Sequence, residues 1–156
     1  MMHQRVHRFS PDRPPGVPEP VPPPGNRGSA GRDLHATPIL VVEDESMIAW
    51  MIVNVLEEAG FDSVAVAATG AQALDEARAH APGLLVTDVN LGAGADGVET
   101  ALTICAARPA PVIFVTGYAD DSMRQRIADT LPRAQILRKP VDPVLLIRAV
   151  LRALAN

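Results

Sequence analysis

Residues 38–60 read PILVVEDESMIAWMIVNVLEEAG, and the change of period inside this stretch decides the fold. Ile39, Leu40, Val41 and Val42 form a short apolar run rich in β-branched residues, which favours a strand. The run breaks into Glu43, Asp44 and Glu45, and apolar residues then recur at Ile48, Met51, Ile52, Val55 and Leu56, the spacing of an amphipathic helix. Ser46 is expected to cap that helix and Gly60 to follow its end. One strand, one acidic turn and one helix make a βα unit.

The unit repeats along the chain. Strands are expected near 38–43, 62–67, 84–88, 111–116 and 134–138, with helices near 46–59, 70–81, 97–107, 121–131 and 142–155. Pro82-Gly83 closes the second helix, and Asp142-Pro143 places a capping carboxylate before a proline in the first turn of the last. Five such units joined by right-handed crossovers predict an α/β fold, an open, doubly wound, five-stranded parallel sheet with helices on both faces. Ligands of such sheets bind outside the carboxyl ends of the strands, beside the point where strand order switches. Glu43, Asp44, Asp88, Thr116 and Lys139 all fall at those ends.

The side chains gathered there suggest one chemistry. Several carboxylates at one sheet edge repel each other and either raise their pKa values or bind a cation. Oxygen ligands without nearby His or Cys point to a hard cation, Mg²⁺, held by Glu43, Asp44, Asp88 and the backbone carbonyl of Asn90. Lys139 is the only lysine among fourteen basic residues, the others being arginine. A compact ammonium on a flexible stem fits a phosphate or carboxylate pocket that a planar guanidinium would not enter. With the Thr116 hydroxyl and the open space left by Gly117, the set is equipped for attack of Asp88 on phosphorus, giving an aspartyl phosphate.

Composition narrows the class further. The formal charge is −4 over 156 residues; the first 34 carry five arginines against three acids, leaving the remainder near −6 without a broad basic surface. Nucleic acid is therefore not an expected partner. Cys105 is the single cysteine, so no intrachain disulfide forms. No apolar run approaches the length of a membrane span, and no signal-like segment opens the chain, so a cytoplasmic protein is expected. Residues 1–36 hold eight of fifteen prolines and little apolar periodicity, which predicts a disordered, polyproline-like tail before a domain over 37–156.

Over about Thr37 to Asn156 the sequence resembles the receiver domain of two-component response regulators. The resemblance rests on ILVVEDE, LLVTDVNLG, Asp96-Gly97, PVIFVTGYAD and ILRKP. It implies a flavodoxin-like fold of strand order 2-1-3-4-5, Asp88 as the phosphorylated aspartate, and Mg²⁺ held by Glu43, Asp44, Asp88 and the Asn90 carbonyl. It implies Thr116 as the switch hydroxyl, Lys139 as the phosphate-binding lysine, and a cis bond before Pro140. It also implies a sensor histidine kinase or histidine phosphotransferase as donor, and a monomer or weak dimer. Two departures stand out. Gly92 occupies a position usually held by proline, and Ile136 one that often carries an aromatic switch residue. The only tyrosine, Tyr118, lies two residues after Thr116, and Phe114-Val115-Thr116-Gly117-Tyr118 is similar to the motif of the stand-alone FATGUY receivers.

With the last helix expected to end at the terminus, output is expected through contacts with a downstream protein, and Trp50 fits either the core or an exposed docking surface. A non-phosphorylated pseudo-receiver acting as a docking module is the competing reading; the full acidic set with Thr116 and Lys139 argues against it. A phosphatase of the haloacid-dehalogenase type would want Asp-x-Asp after the first strand, where this chain has Glu-Asp-Glu. A flavodoxin relative would want a Ser/Thr-rich phosphate loop there.

Overall fold

A computed structural model describes residues 33–92 and 96–156. The proline-rich tail expected over 1–36 lies outside the described residues except for its end. There, Leu34–Ala36 form one turn of 3₁₀ helix, with Asp33 accepting from the His35 amide and the His35 ring centroid 5.0 Å from that of Phe61.

Five strands alternate with five helices: β1 Ile39–Val42, α1 Ser46–Glu58, β2 Val64–Ala67, α2 Gly70–Ala79, β3 Leu84–Thr87, α3 Gly97–Ala107, β4 Val112–Thr116, α4 Asp121–Thr130, β5 Gln135–Arg138 and α5 Pro143–Ala155. All pairings are parallel, in the order β2-β1-β3-β4-β5. This is the flavodoxin-like arrangement, and the order reverses between β1 and β3, the point beside which such sheets bind their ligands.

The three central strands are buried on both faces, which explains why they read as continuous apolar runs and not as alternating ones. Successive side chains still point to opposite faces. Ile39, Val41, Val86, Ile113 and Val115 pack with Ile52, Leu56, Leu146 and Val150 of α1 and α5. Leu40, Val42, Leu85 and Phe114 pack on the other side with Ala73, Val98, Ala101, Ile104 and Ile127 of α2, α3 and α4. Among the described residues, no helix is long and apolar enough to cross a membrane.

Helix starts show where local chemistry acts. Asp142 accepts from the Val144 and Leu145 amides ahead of Pro143, as its sequence indicates. Ser46 does not cap α1: Glu45 occupies that position without a side-chain bond, and Ser46 is already helical. The Glu43 carboxylate accepts from the amide of Glu45, the cap residue itself. Trp50 is 66% exposed and Met47 78% exposed, which settles Trp50 as a surface residue, because the buried stripe of α1 runs through Ala49, Ile52 and Leu56.

The start of α3 is the tightest backbone approach in the site region. Gly97 donates its amide to Val89 O at 2.7 Å, and a β-carbon built there would collide with the Asp88 carbonyl. Gly117, in contrast, has nothing within 4 Å of such a carbon. Gly97→Ala is therefore expected to lower stability by about 1–3 kcal/mol in chemical denaturation, the range for overpacking. Gly117→Ala should stay within about 0.5 kcal/mol, as surface substitutions do.

Candidate functional site

The carboxyl ends of β1, β3, β4 and β5 bring Glu43, Asp44, Asp88, Thr116 and Lys139 to one edge of the sheet. Register accounts for the pairwise placement: Val42 pairs with Thr87, so Glu43 and Asp88 leave the sheet side by side, and Thr116 pairs with Arg138, so Lys139 leaves beside β4. Carboxylate oxygens of Glu43, Asp44 and Asp88 lie within 4.8 Å of one another. Glu43 and Asp88 are buried, whereas Asp44 faces solvent.

Lys139 answers this concentration of negative charge. Its Nζ lies 2.7 Å from Asp88 Oδ2 and 2.9 Å from Glu43 Oε2, with Glu45 Oε1 at 3.8 Å. The Asp88 contact is a hydrogen bond; the Glu43 contact is close in distance but off the hydrogen-bond axis, so the buried Oε2 has no hydrogen-bond donor. Burial pushes the Glu43 carboxyl above its ordinary pKa despite the nearby ammonium and the Glu45 amide. Burial would depress Lys139, but the carboxylates of Asp88 and Glu43 beside it outweigh that and raise it, so the ammonium stays charged. Lys139 is held by its amide, which donates to Thr116 O at 2.9 Å; the bond that follows, to Pro140, is cis.

A hard cation suits this donor set. Three convergent carboxylates, one of them exposed to the entering ion, and a buried oxygen lacking a donor are what oxygen-only coordination requires. Asn90 sits at the rim, its amide donating to Asp88 Oδ1 at 3.2 Å. Gly92, where φ is +64°, passes so close to Asp44 that an added β-carbon would stand 2.8 Å from Oδ2. The departure from proline at this position thus brings a bare backbone against the acidic cluster.

Thr116 belongs to the same edge but faces other partners. Its buried hydroxyl donates to Tyr118 O at 3.0 Å and accepts from the Tyr118 amide at 3.4 Å. Tyr118 itself is 70% exposed, at the rim of a cleft of about 120 Å³ shared with Thr116, Ala119, Arg124, Ile136 and Arg138. A larger hollow of about 900 Å³ lies at the other end of the sheet, among Cys105, Leu131, Arg133 and Arg152, and contains none of the acidic groups. Cys105 is half-buried there, its thiol pushed up in pKa by burial.

Sequence reasoning missed one ion-pair set. Asp96 Oδ1 accepts from the Val98 and Glu99 amides, capping α3, while Arg126 of α4 reaches Asp96 Oδ2 with Nη1 and Glu99 Oε2 with Nη2, the latter at 3.2 Å. Burial works against the Asp96 charge, but the Arg126 bond and the two amides hold its carboxyl below the usual range. An aspartate before glycine at a helix start signalled the cap; no local pattern signals a partner 30 residues away.

Comparison with known proteins places this geometry. Residues 39–151 match the family model described as the response regulator receiver domain. The phyllosphere-induced regulator PhyR of Methylorubrum extorquens is 32% identical over 118 residues, covering 73% of this chain and 43% of that protein. The transcriptional regulatory protein PdtaR of Mycobacterium tuberculosis is 30% identical over 100 residues, covering 64% of this chain and 48% of that protein. The chain thus spans under half the length of these two relatives. A CheY-like receiver domain protein from Methanospirillum hungatei superposes with a TM-score of 0.71 at 27% identity, over 77% of this chain and 94% of that one. Sequence match, strand order and the edge at which the acids converge agree, and the chain belongs to the response regulator receiver domain family of two-component signalling.

Proposed function

We propose that this receiver accepts a phosphoryl group on Asp88 from the phosphohistidine of a sensor histidine kinase or histidine phosphotransferase, and relays it or signals through protein contacts. The observation that carries the reading is the approach of Lys139 Nζ to 2.7 Å from Asp88 Oδ2 within a cluster of three carboxylates. A free carboxylate oxygen of Asp88 attacks phosphorus; the O–P bond forms as the N–P bond of phosphohistidine breaks, and the electron pair stays on the imidazole nitrogen, which takes up a proton. Glu43, Asp44, Asp88 and the Asn90 carbonyl would hold Mg²⁺, which when bound supplies charge neutralisation for the phosphoryl oxygens.

Within the chain, Lys139 moves from pairing carboxylates to pairing phosphate, a short excursion for an ammonium on a flexible stem. Thr116 donates its hydroxyl proton to a phosphoryl oxygen, and Gly117 leaves the space beside it free. Met47 and Trp50 at the start of α1, with Val144 and Leu145 at the start of α5, expose apolar side chains on two helices that pack together, and form the docking face for the donor.

Radiolabelled acetyl phosphate with Mg²⁺ should label the wild type and leave Asp88→Asn unlabelled; persistent labelling of the variant, or none of the wild type, rejects the assignment. Tyr118 is assigned the switching role that Ile136 has no ring to perform, since it overhangs the cleft beside Ile136. In Tyr118→Ala, labelling should persist while the phosphorylation-dependent amide shifts over α4 shrink severalfold in NMR spectra. An undiminished α4 response removes Tyr118 from the switch.

A further inference from the structure

Helix α4 is held to the domain by very little apolar contact. Ile127 is its one buried residue, with Met123 partly buried, and the rest of the helix is polar or exposed. Against that weak packing stands the Arg126 guanidinium, which spans Asp96 and Glu99 in the first turn of α3. That turn rests directly on the phosphoacceptor strand end: Gly97 is seated against the Asp88 carbonyl and donates to Val89, and Asn90 and Asp96 pair as an isolated antiparallel bridge.

The other end of α4 connects to Thr116. Asp120 caps the helix through the Met123 amide at 2.8 Å, Arg124 Nε donates to Ala119 O at 3.2 Å, and the Thr116 hydroxyl donates to Tyr118 O. A threonine has one O–H to donate. To serve a phosphoryl oxygen on Asp88, that proton must leave Tyr118 O, so the loop over 117–120 loses an anchor and is released to move with α4 attached.

We propose that Arg126 is a positioning residue that opposes phosphorylation: by clamping α4 to Asp96 and Glu99 it holds the loop over 117–120, and with it the Thr116 hydroxyl, in the arrangement turned to Tyr118. The inference rests on Asp88 as phosphoacceptor. Coupling of this kind is reciprocal, so whatever the clamp contributes to the resting arrangement is subtracted from the affinity for a group that requires the other one. The ion pairs are partly exposed, which sets the effect at the low end of typical couplings.

The test is calorimetric titration of the full chain with beryllofluoride, a phosphoryl mimic, in the presence of Mg²⁺. Arg126→Gln should bind it about 5-fold tighter than the wild type, a low-end coupling. Asp96→Asn, which keeps an oxygen to cap α3 but loses the charge, should gain a similar factor. The double variant should gain no more than Arg126→Gln alone, since Asp96→Asn removes one of the two contacts that Arg126 makes. A merely structural role predicts unchanged or weaker binding, because loosening a fold does not improve its ligand site. Equal or weaker binding by Arg126→Gln overturns the clamp while leaving Asp88 as acceptor intact. Failure of the wild type itself to bind overturns both.

Discussion

One ammonium holds two buried carboxylates at the edge of a sheet that would otherwise repel them. Lys139 stands between Asp88 and Glu43; β1 and β3 end level with each other, and β5 carries Lys139 to the same edge of the sheet. Removing a partner from a buried pair strands an uncompensated charge, which is far more destabilising than losing a surface ion pair. The resting domain therefore depends on a cation that its proposed chemistry must redirect. Stability at rest and readiness for phosphate draw on the same side chain.

That shared use explains the unequal treatment of the charges nearby. Glu43 is driven toward its neutral form by burial, while Lys139 is held charged by the acids around it. Asp44 remains open to solvent. The two helices that border the edge contribute differently as well. α1 exposes Trp50 and Met47, whereas α4 is fastened through one arginine and one buried isoleucine.

Most of this architecture is legible in the sequence because it is written in local patterns. Apolar runs such as Leu84–Thr87 and Val112–Thr116 mark strands buried on both faces, the first followed at once by Asp88 and the second ending in Thr116. Asp142 before Pro143 declares a helix start, and Lys139 stands out as the sole lysine. What escaped depends on the third dimension. Ser46 has the chemistry of a cap, yet the helix begins one residue earlier than that role requires, with Glu45 at the cap position. Trp50 is apolar but lies on the helix phase away from Ile52 and Leu56. Arg126 meets Asp96 only because α3 and α4 lie on the same face of the sheet. The hydroxyl of Thr116 turns to Tyr118, an orientation set by the loop that follows β4.

The central claim is that Lys139 supplies the positive charge for the carboxylates that otherwise take up a cation. Thermal unfolding of Lys139→Met and wild type, each in chelator and in Mg²⁺, tests it most directly. In chelator the variant should be less stable by about 3 kcal/mol, the low end for a buried pair missing one member. Mg²⁺ should then raise its melting temperature more than that of the wild type, because a ligand that binds only the folded state stabilises it by an amount that grows with the logarithm of its affinity. Equal melting of the two proteins in chelator, or an equal rise in Mg²⁺, would contradict the account.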